Sequence, residues 1–270
     1  MKKLLGFLII GVFFLASSNA FAFTETNWYW NVSNVSTAYD TGWDADGITS
    51  LMKSITYYAI TTSNIDTGGN ITDKGVGVFT GMTSYNGATG DNEGLSDSLN
   101  GDYQITFAWN DITGKVDNQI GTMVYASYST GTINFYLNKD KSYDPALSST
   151  YTDGDYLFSL AITGGNYSLD LSSGDGEYSL EGYVSYVVDD FWYTEKNTDL
   201  SDLSATTISM ISHGDNNQAD ITTNPDGSLI VISDHDSSFE IAVVPEPATF
   251  TLLGLSLIGF AGIARKRCRS

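Results

Sequence analysis

The sequence of 270 residues carries 32 acidic and 12 basic side chains, and its single cysteine is Cys268. Between Glu25 and Glu246 all 32 acids stand against only six bases, a formal charge of −26 that repels phosphate backbones and argues against a nucleic-acid partner. One cysteine cannot form a disulfide within the chain, so a packed core has to stabilise the fold.

The first 22 residues have the pattern of a secretory signal peptide. Residues 1–3 include two lysines, residues 4–15 form an apolar stretch of 12, and Ala20 and Ala22 supply the small residues that signal peptidase reads. The apolar stretch is shorter than the roughly 20 residues that a membrane-spanning helix needs. We therefore predict that signal peptidase removes residues 1–22 and that the remainder is exported.

The exported part, residues 23–243, shows the two-residue periodicity of β-strands. In QITFAWN, for example, Ile105, Phe107 and Trp109 fall on one face and polar residues on the other. Glycine-containing turns recur along the chain, and no stretch shows a sustained apolar stripe of helical period. This pattern predicts an all-β domain, an antiparallel β-sandwich of the jelly-roll type.

Further strands are predicted from the same alternation, with loops where glycine and small polar residues dominate. The segment MVYASYSTGTINFYL is interpreted as a hairpin that closes near Gly131, and Gly164 with Gly165 as another turn. Residues 61–75 and 83–101 are predicted to be surface loops. The remaining predicted strands cover residues 55–60, 76–80, 132–138, 156–162, 167–171, 183–188, 208–211, 229–232 and 239–243.

Motifs for catalysis are sparse in the exported part. It contains no G-x-S-x-G nucleophile motif, and only His213 and His235 offer imidazole bases. Ser233, Asp234 and Asp236 surround His235 as the parts of a triad would, but neighbouring residues of a strand point to opposite faces and cannot converge. We interpret His235 as a polar turn histidine. Carboxylate pairs are inevitable among 32 acids and therefore not diagnostic, so we expect no enzymatic activity.

Calcium is the metal that the composition favours, because hard cations bind several oxygen ligands from loops. Asp44 and Asp46, in an Asp-Ala-Asp-Gly stretch, and Asp153 and Asp155, in Asp-Gly-Asp, are the candidate ligands. Neither stretch follows the twelve-residue EF-hand pattern, and the turn-forming chemistry of Asp-Gly explains both equally well. No other cofactor is expected.

Aromatic residues are abundant, with 5 Trp, 17 Tyr and 13 Phe, and two triplets occur at residues 28–30 and 191–193. Strand alternation places at least one ring of each triplet on the outer face, where flat rings with polar edges stack on sugars or partner surfaces. The alternative is that the rings serve strand formation and the core.

An apolar run of 17 residues, 248–264, follows the β domain without any charge. As a helix it would extend about 25 Å, close to the minimum for crossing a membrane. The basic residues that come directly after it act as a cytoplasmic stop, since positive residues stay inside; they are Arg265, Lys266, Arg267 and Arg269. This pattern predicts a single transmembrane helix with a basic cytoplasmic tail, 265–270.

Pro245, Glu246 and Pro247 precede the apolar run, and the order of tripeptide, apolar run and basic cluster resembles the PEP-CTERM sorting signal of Gram-negative bacteria. The resemblance covers residues 244–270. It implies that exosortase, a membrane cysteine protease-transferase, recognises the tripeptide and removes the membrane segment. The alternative is a permanent single-span anchor preceded by prolines.

Three stretches of the β domain are similar to the body of flocculation-associated PEP-CTERM proteins: MVYASYSTGTINFYLNKD, DGDYLFSLAI and GYVSYVVDDFWYTEKNTDL. Together the resemblances imply a noncatalytic protein that passes through the inner membrane to the outer surface or matrix. There it would associate with extracellular polysaccharide, a biofilm or a floc. A carbohydrate-binding module and a secreted hydrolase are the alternatives.

Overall fold

Eleven β-strands make up almost all of the regular structure that the computed structural model describes. The described residues are 28–31, 52–85, 92–95, 104–138, 148–194, 197–202 and 208–243. The strands are β1 (Trp28–Trp30), β2 (Met52–Ile65), β3 (Asn70–Tyr85), β4 (Asn92–Leu95), β5 (Gln104–Ile120), β6 (Met123–Asn138), β7 (Asp155–Asp170), β8 (Gly176–Val187), β9 (Trp192–Thr194), β10 (Ile208–Thr223) and β11 (Leu229–Val243). Two short 3₁₀ turns, Ser148–Tyr151 and Leu200–Asp202, accompany them.

Eight long strands close into an antiparallel barrel. Each pairs with the next of them along the chain, in the order β2, β3, β5, β6, β7, β8, β10 and β11. β11 then pairs with β2 from Leu229 to Glu240, which completes the ring. The predicted all-β fold is confirmed, but one sheet that closes on itself replaces the expected sandwich of two sheets. Closure pairs both edges of each strand in the ring, which is one way in which β proteins avoid exposed edges.

The two ends of the barrel differ in how the strands are connected. At one end, the turn end, tight hairpins join successive strands through residues 66–69, 121–122, 171–175 and 224–228. Asp66 shows the local cause, because its carboxylate accepts hydrogen bonds from the backbone N–H groups of Gly68 and Asn70, both at 2.8 Å. At the opposite end, the covered end, the connections are longer and include β4, β9 and both 3₁₀ turns.

Aromatic side chains pack against the covered end. β1 pairs with β9, which places Trp28 and Trp30 beside Trp192. All three indoles are at most 2% exposed. Trp192 lies edge-on to Phe158 of β7 with ring centroids 4.8 Å apart, and Trp30 stacks on Phe79 of β3. The two short strands therefore close this end of the core with apolar surface.

Side chains inside the barrel form layers along its axis. The layer next to the covered end, here the aromatic layer, has neighbouring ring centroids 4.1 to 6.0 Å apart and consists of Phe79, Phe107, Phe135, Phe158 and Phe239. The next layer towards the turn end, here the polar layer, is 3–6% exposed and consists of Thr61, Ser63, Asp73, Ser233 and His235. Apolar residues close the turn end, among them Ile65, Ile71, Leu169 and Val231.

Two glycines of β3 make room for this packing. Gly75 pairs with Trp109 across β3 and β5, and Gly77 pairs with Phe107. A methyl group at either glycine would overlap the facing ring. Because β3 has no side chain at these two positions, the Trp109 indole lies across the strand and reaches Asp73.

Several predicted boundaries are wrong in the same way. Residues 61–75 are not a loop, because β2 continues to Ile65 and β3 begins at Asn70; residues 83–101 likewise include the end of β3 and all of β4. MVYASYSTGTINFYL lies within one strand, β6, and the chain reverses at Gly121, where φ is 63°. Gly131 instead lies against β5, since a methyl group there would come within 2.6 Å of Ile112 Cα.

Gly164 and Gly165, predicted to form a turn, lie inside β7. The pairing of β7 with β8 shifts register between Ile162 and Gly164, which marks a β-bulge at this point. The strand therefore continues through both glycines and does not end at them.

The described residues do not include either end of the chain. The predicted signal peptide, 1–22, and the sorting segment, 244–270 with its apolar run 248–264, lie outside them. Within the described ranges, no helix has both the length and the apolar character needed to cross a membrane. Glu25–Val243 forms one compact unit.

Candidate functional site

The predicted sorting residues follow directly on the barrel. β11 ends at Val243, so Pro245 comes two residues after the closing strand. Other predicted site residues also lie outside the described ranges: Glu246, Pro247, Arg265, Lys266, Arg267, Arg269, Asp44 and Asp46.

Asp153 and Asp155, the other two calcium candidates, lie where the chain enters β7 at the covered end. Both side chains are exposed, and Asp153 accepts a hydrogen bond from Asn138 Nδ2 at 3.1 Å. In the part of the chain that the structure describes, no three His, Cys, Asp or Glu side chains come close enough to share a metal ion. Calcium binding by Asp153 and Asp155 stays a prediction.

His235 is buried in the polar layer, so its interpretation as a turn histidine is wrong. The argument from alternation is confirmed, because Asp234 and Asp236 are exposed while Ser233 and His235 share the inner face. His235 Nε2 lies 2.9 Å from Thr61 Oγ1 and 3.1 Å from Ser233 Oγ. Its Nδ1 makes no hydrogen bond of ordinary geometry. The ring therefore contacts hydroxyl groups and is not oriented by a carboxylate, as a catalytic triad would require.

Asp73 on β3 is the charged centre of the polar layer. Its carboxylate accepts hydrogen bonds from Ser63 Oγ at 2.7 Å, from Trp109 Nε1 at 2.7 Å and from Tyr128 OH at 3.2 Å. The donors come from β2, β5 and β6, so one side chain joins four strands. All three donors are neutral groups, which leaves the negative charge without a cationic partner among them.

Burial sets the charge states of this layer. It raises the pKa of Asp73 from 3.8 to about 6, and the three donors oppose that rise because they favour the ionised form. Burial lowers the pKa of His235 from 6.5 to about 4, since it disfavours the charged imidazolium. Burial and the charge of Asp73 raise the pKa of Tyr128 well above 10. At neutral pH the polar layer therefore contains an ionised carboxylate and a neutral imidazole, and the adjoining Tyr128 is a neutral phenol.

A chain of hydroxyl groups continues from the polar layer towards the aromatic layer. Tyr57 OH contacts Tyr178 OH and Ser212 Oγ, and Tyr178 OH also contacts Ser237 Oγ. The Tyr178 ring meets the His235 ring edge-on at 4.7 Å between centroids. These contacts satisfy buried hydroxyl groups of four strands, β2, β8, β10 and β11.

A cavity lies between the polar and aromatic layers. Its volume is about 40 Å³, room for roughly three water molecules. Its wall includes the Asp73 carboxyl group, the His235 ring, four tyrosines and the rings of Phe107, Trp109 and Phe239. Asp73 was not singled out by sequence analysis. The inward spacing of Ile71, Asp73, Gly75, Gly77 and Phe79 is the signal that could have identified it.

The outer face of the barrel carries a second candidate site, here the tyrosine strip. Tyr136, Tyr156 and Tyr186 lie on the neighbouring strands β6, β7 and β8. Ring centroids are 5.7 Å apart between Tyr136 and Tyr156 and 5.2 Å apart between Tyr156 and Tyr186, the latter pair nearly parallel at 15°. Tyr156 is 40% exposed and Tyr186 is 48% exposed. The three tyrosines thus form a row of neighbouring rings on the outer face, and two of them are largely accessible to solvent.

The two aromatic triplets contribute one ring each towards the outside. Tyr29 and Tyr193 are half-buried and stack at 5.3 Å, whereas Trp28, Trp30, Phe191 and Trp192 are buried. Alternation therefore predicted the outward ring of each triplet correctly, and the covered end accounts for the others.

Comparison with known proteins assigns the C-terminal segment. Residues 243–267 match the family model of the PEP-CTERM protein-sorting motif, so the recognition made from Pro245, Glu246 and Pro247 is confirmed. No curated protein matches the chain. A crystal structure of a DUF1329 family protein from Desulfovibrio piger aligns at 9% identity over 74% of this chain and 90% of that chain. Its TM-score is 0.12, too low to support an argument about the barrel.

Proposed function

We propose that this chain, an exported protein that exosortase sorts through its PEP-CTERM domain, is a noncatalytic surface or matrix protein that binds extracellular polysaccharide. The observation that carries the polysaccharide assignment is the tyrosine strip. Its three rings lie in a row across neighbouring strands, with hydroxyl groups at their edges.

The chemistry of the strip favours sugars. Pyranose rings present C–H groups that pack on aromatic surfaces and hydroxyl groups that bond to polar edges, and tyrosine offers both kinds of contact. Asn134 adds an amide next to the strip, since its Oδ1 lies 3.4 Å from Tyr156 OH. The acidic surface of the body disfavours anionic polymers, so an uncharged polysaccharide is the proposed ligand.

A noncatalytic role is supported by the placement of the imidazole that sequence analysis considered as a base. His235 is 6% exposed and lies inside the barrel with Ser233 and Thr61. A polymer on the outer face does not reach it. The strip itself presents phenols with no carboxylate pair among its three residues.

The experiment is affinity electrophoresis of the purified exported protein in gels that contain the neutral matrix polysaccharide of the producing cells. We expect the wild-type protein to be retarded and the double variant Tyr156→Ala/Tyr186→Ala to migrate freely. Tyr125→Ala is the matched control, because Tyr125 is also an outer-face tyrosine of β6 and is 41% exposed. It lies 11 residues before Tyr136, about 35 Å along the strand.

Three results would contradict the proposal in different ways. Equal retardation of wild type and double variant would remove the tyrosine strip as the binding surface. Absence of retardation for the wild type would leave an exported structural protein without sugar binding. Loss of polymer length during incubation would favour the secreted hydrolase.

A further inference from the structure

The interior cavity is built differently from an ordinary core void. Core voids in small proteins are apolar, whereas this one has a carboxyl group, an imidazole and several hydroxyl groups in its wall. Asp73, the only acid among the lining residues, is 5% exposed. The wall contains no lysine or arginine.

The charge of Asp73 is hydrogen-bonded but not neutralised. Ser63, Trp109 and Tyr128 supply three donors, and each is electrically neutral. A carboxylate can accept about four hydrogen bonds, so one acceptor position is left. Burying a negative charge without a counter-charge is costly, and a cation in the adjacent cavity would reduce that cost.

The rest of the wall also suits a cation. Aromatic rings attract cations through their negative faces, and the wall includes Phe107, Trp109, Tyr167, Tyr178 and Phe239. The hydroxyl oxygens of Thr61 and Ser233 lie 2.8 Å apart in the same wall and can accept N–H hydrogen bonds. An anion would meet the Asp73 carboxylate and the formal charge of −25 on residues 23–243 (6 bases against 31 acids).

The size of the cavity limits the ligand to a few heavy atoms. A volume of about 40 Å³ corresponds to about three water molecules. Ammonium has one heavy atom and methylammonium two, whereas tetramethylammonium has five and needs more room. The hydroxyl groups of the wall suit the N–H groups of such a cation, and the aromatic rings suit its methyl group.

We propose that this cavity is a binding site for a small primary ammonium ion, with Asp73 as the counter-charge, Thr61 and Ser233 as acceptors and the surrounding rings as cation–π partners. The site is separate from the tyrosine strip, which lies on the outside of the barrel. It requires neither polysaccharide binding nor processing of the C-terminal segment.

The test is isothermal titration of the purified exported protein with methylammonium chloride at pH 8, in a background of sodium chloride at fixed ionic strength. Asp73→Asn removes the charge at nearly constant volume and should weaken binding at least about tenfold. Asp117→Asn is the matched control, since Asp117 is an exposed acid of β5 that accepts a hydrogen bond from Ser127. It should change the affinity less than about twofold.

A second variant keeps the test decisive if Asp73→Asn does not fold. Ala59 lines the cavity and is 1% exposed, so Ala59→Val fills part of the space without touching the carboxyl group. It should also weaken binding at least about tenfold, and tetramethylammonium should not bind to the wild type. The proposal is overturned if methylammonium does not bind the wild type, if Ala59→Val binds as tightly as the wild type, or if sodium competes equally.

Discussion

The aromatic layer and the polar layer occupy the same barrel and share the same strands, yet they contribute to stability in opposite ways. On β11 Phe239, in the aromatic layer, comes only four positions after His235 in the polar layer. Burial of the phenylalanine rings stabilises the folded state without any specific partner. The polar side chains lose their hydration, and only well-placed hydrogen-bond partners offset the free energy that this loss costs. A barrel optimised for stability alone would extend the first arrangement through the second.

The largest effect is expected in the aromatic layer. Phe135 is 0% exposed and stacks on Phe158 at 4.1 Å between centroids. Phe135→Ala should lower the free energy of unfolding by about 3–5 kcal/mol, because it leaves a cavity that the rigid barrel cannot fill. Urea denaturation measures the change, with Tyr125→Ala on the outer face as control. A loss under about 1 kcal/mol would mean that this layer is not the stabilising part.

The polar layer should affect how the free energy of unfolding depends on pH. Folded Asp73 keeps its proton up to about pH 6, whereas the unfolded carboxyl group releases it near pH 3.8, so its contribution to stability falls as pH rises through this window. Folded His235 stays neutral down to about pH 4 while the unfolded ring protonates near 6.5, so its contribution falls as pH drops. In the wild type, the opposite effects of Asp73 and His235 on the pH dependence of stability nearly cancel.

Single variants should separate these slopes. As the pH rises from 4 to 6, the free energy of unfolding of Asp73→Asn should increase by about 3 kcal/mol relative to that of the wild type. As the pH rises from 4 to 6.5, the free energy of unfolding of His235→Gln should decrease by a similar amount relative to the wild type. Urea denaturation at half-unit pH steps provides both curves. Parallel curves for the variants and the wild type would show that neither group has a shifted pKa in the fold.

A smaller effect is expected from one donor of Asp73. Trp109→Phe removes the indole N–H that bonds to Oδ1, and this bond favours the ionised carboxylate. The stability loss should be larger at pH 8 than at pH 4.5 by about 1–2 kcal/mol, because only the ionised form uses the full strength of the donor. Comparing two pH values removes the packing loss from the difference. Equal losses would mean that the donor does not act on the charge.

The smallest effect should come from the outer face. Tyr156→Ala removes a 40% exposed ring whose cross-strand contacts contribute at most about 1 kcal/mol. Its urea midpoint should therefore stay close to that of the wild type while polysaccharide binding is lost. A destabilisation above about 3 kcal/mol would place the tyrosine strip with the core and not with the binding surface.

The contrast between the layers also explains what the sequence could and could not predict. Strand segments in the aromatic layer, such as Ile105 to Trp109, were predicted because their inward residues are apolar. Residues 61–75 were interpreted as a loop because Thr61, Ser63 and Asp73 face inward and are polar. Alternation loses its signal where both faces of a strand are hydrophilic.

The closure of the sheet into a barrel could not be predicted from the sequence, for a different reason. Sandwiches and barrels are built from the same alternating antiparallel strands, and only the pairing of β11 with β2 distinguishes them here. Glycines added a second error, because Gly75 and Gly131, predicted to lie in a loop and a hairpin turn, lie within strands and provide room for a neighbouring ring and strand. The C-terminal sorting motif could be identified from the sequence alone, because it is an order of residue types that depends on no fold, and the family model matches it at residues 243–267.

The central claim is that exosortase recognises Pro245, Glu246 and Pro247 and removes the segment that follows them in the sequence. Mass spectrometry of the protein recovered from the cell surface or matrix tests it most directly. The account predicts peptides from β11 but none from residues 251–265, and full-length, membrane-bound protein when Pro245, Glu246 and Pro247 are all replaced by Ala. Peptides from residues 251–265 in the wild-type surface form would contradict removal and favour a permanent anchor.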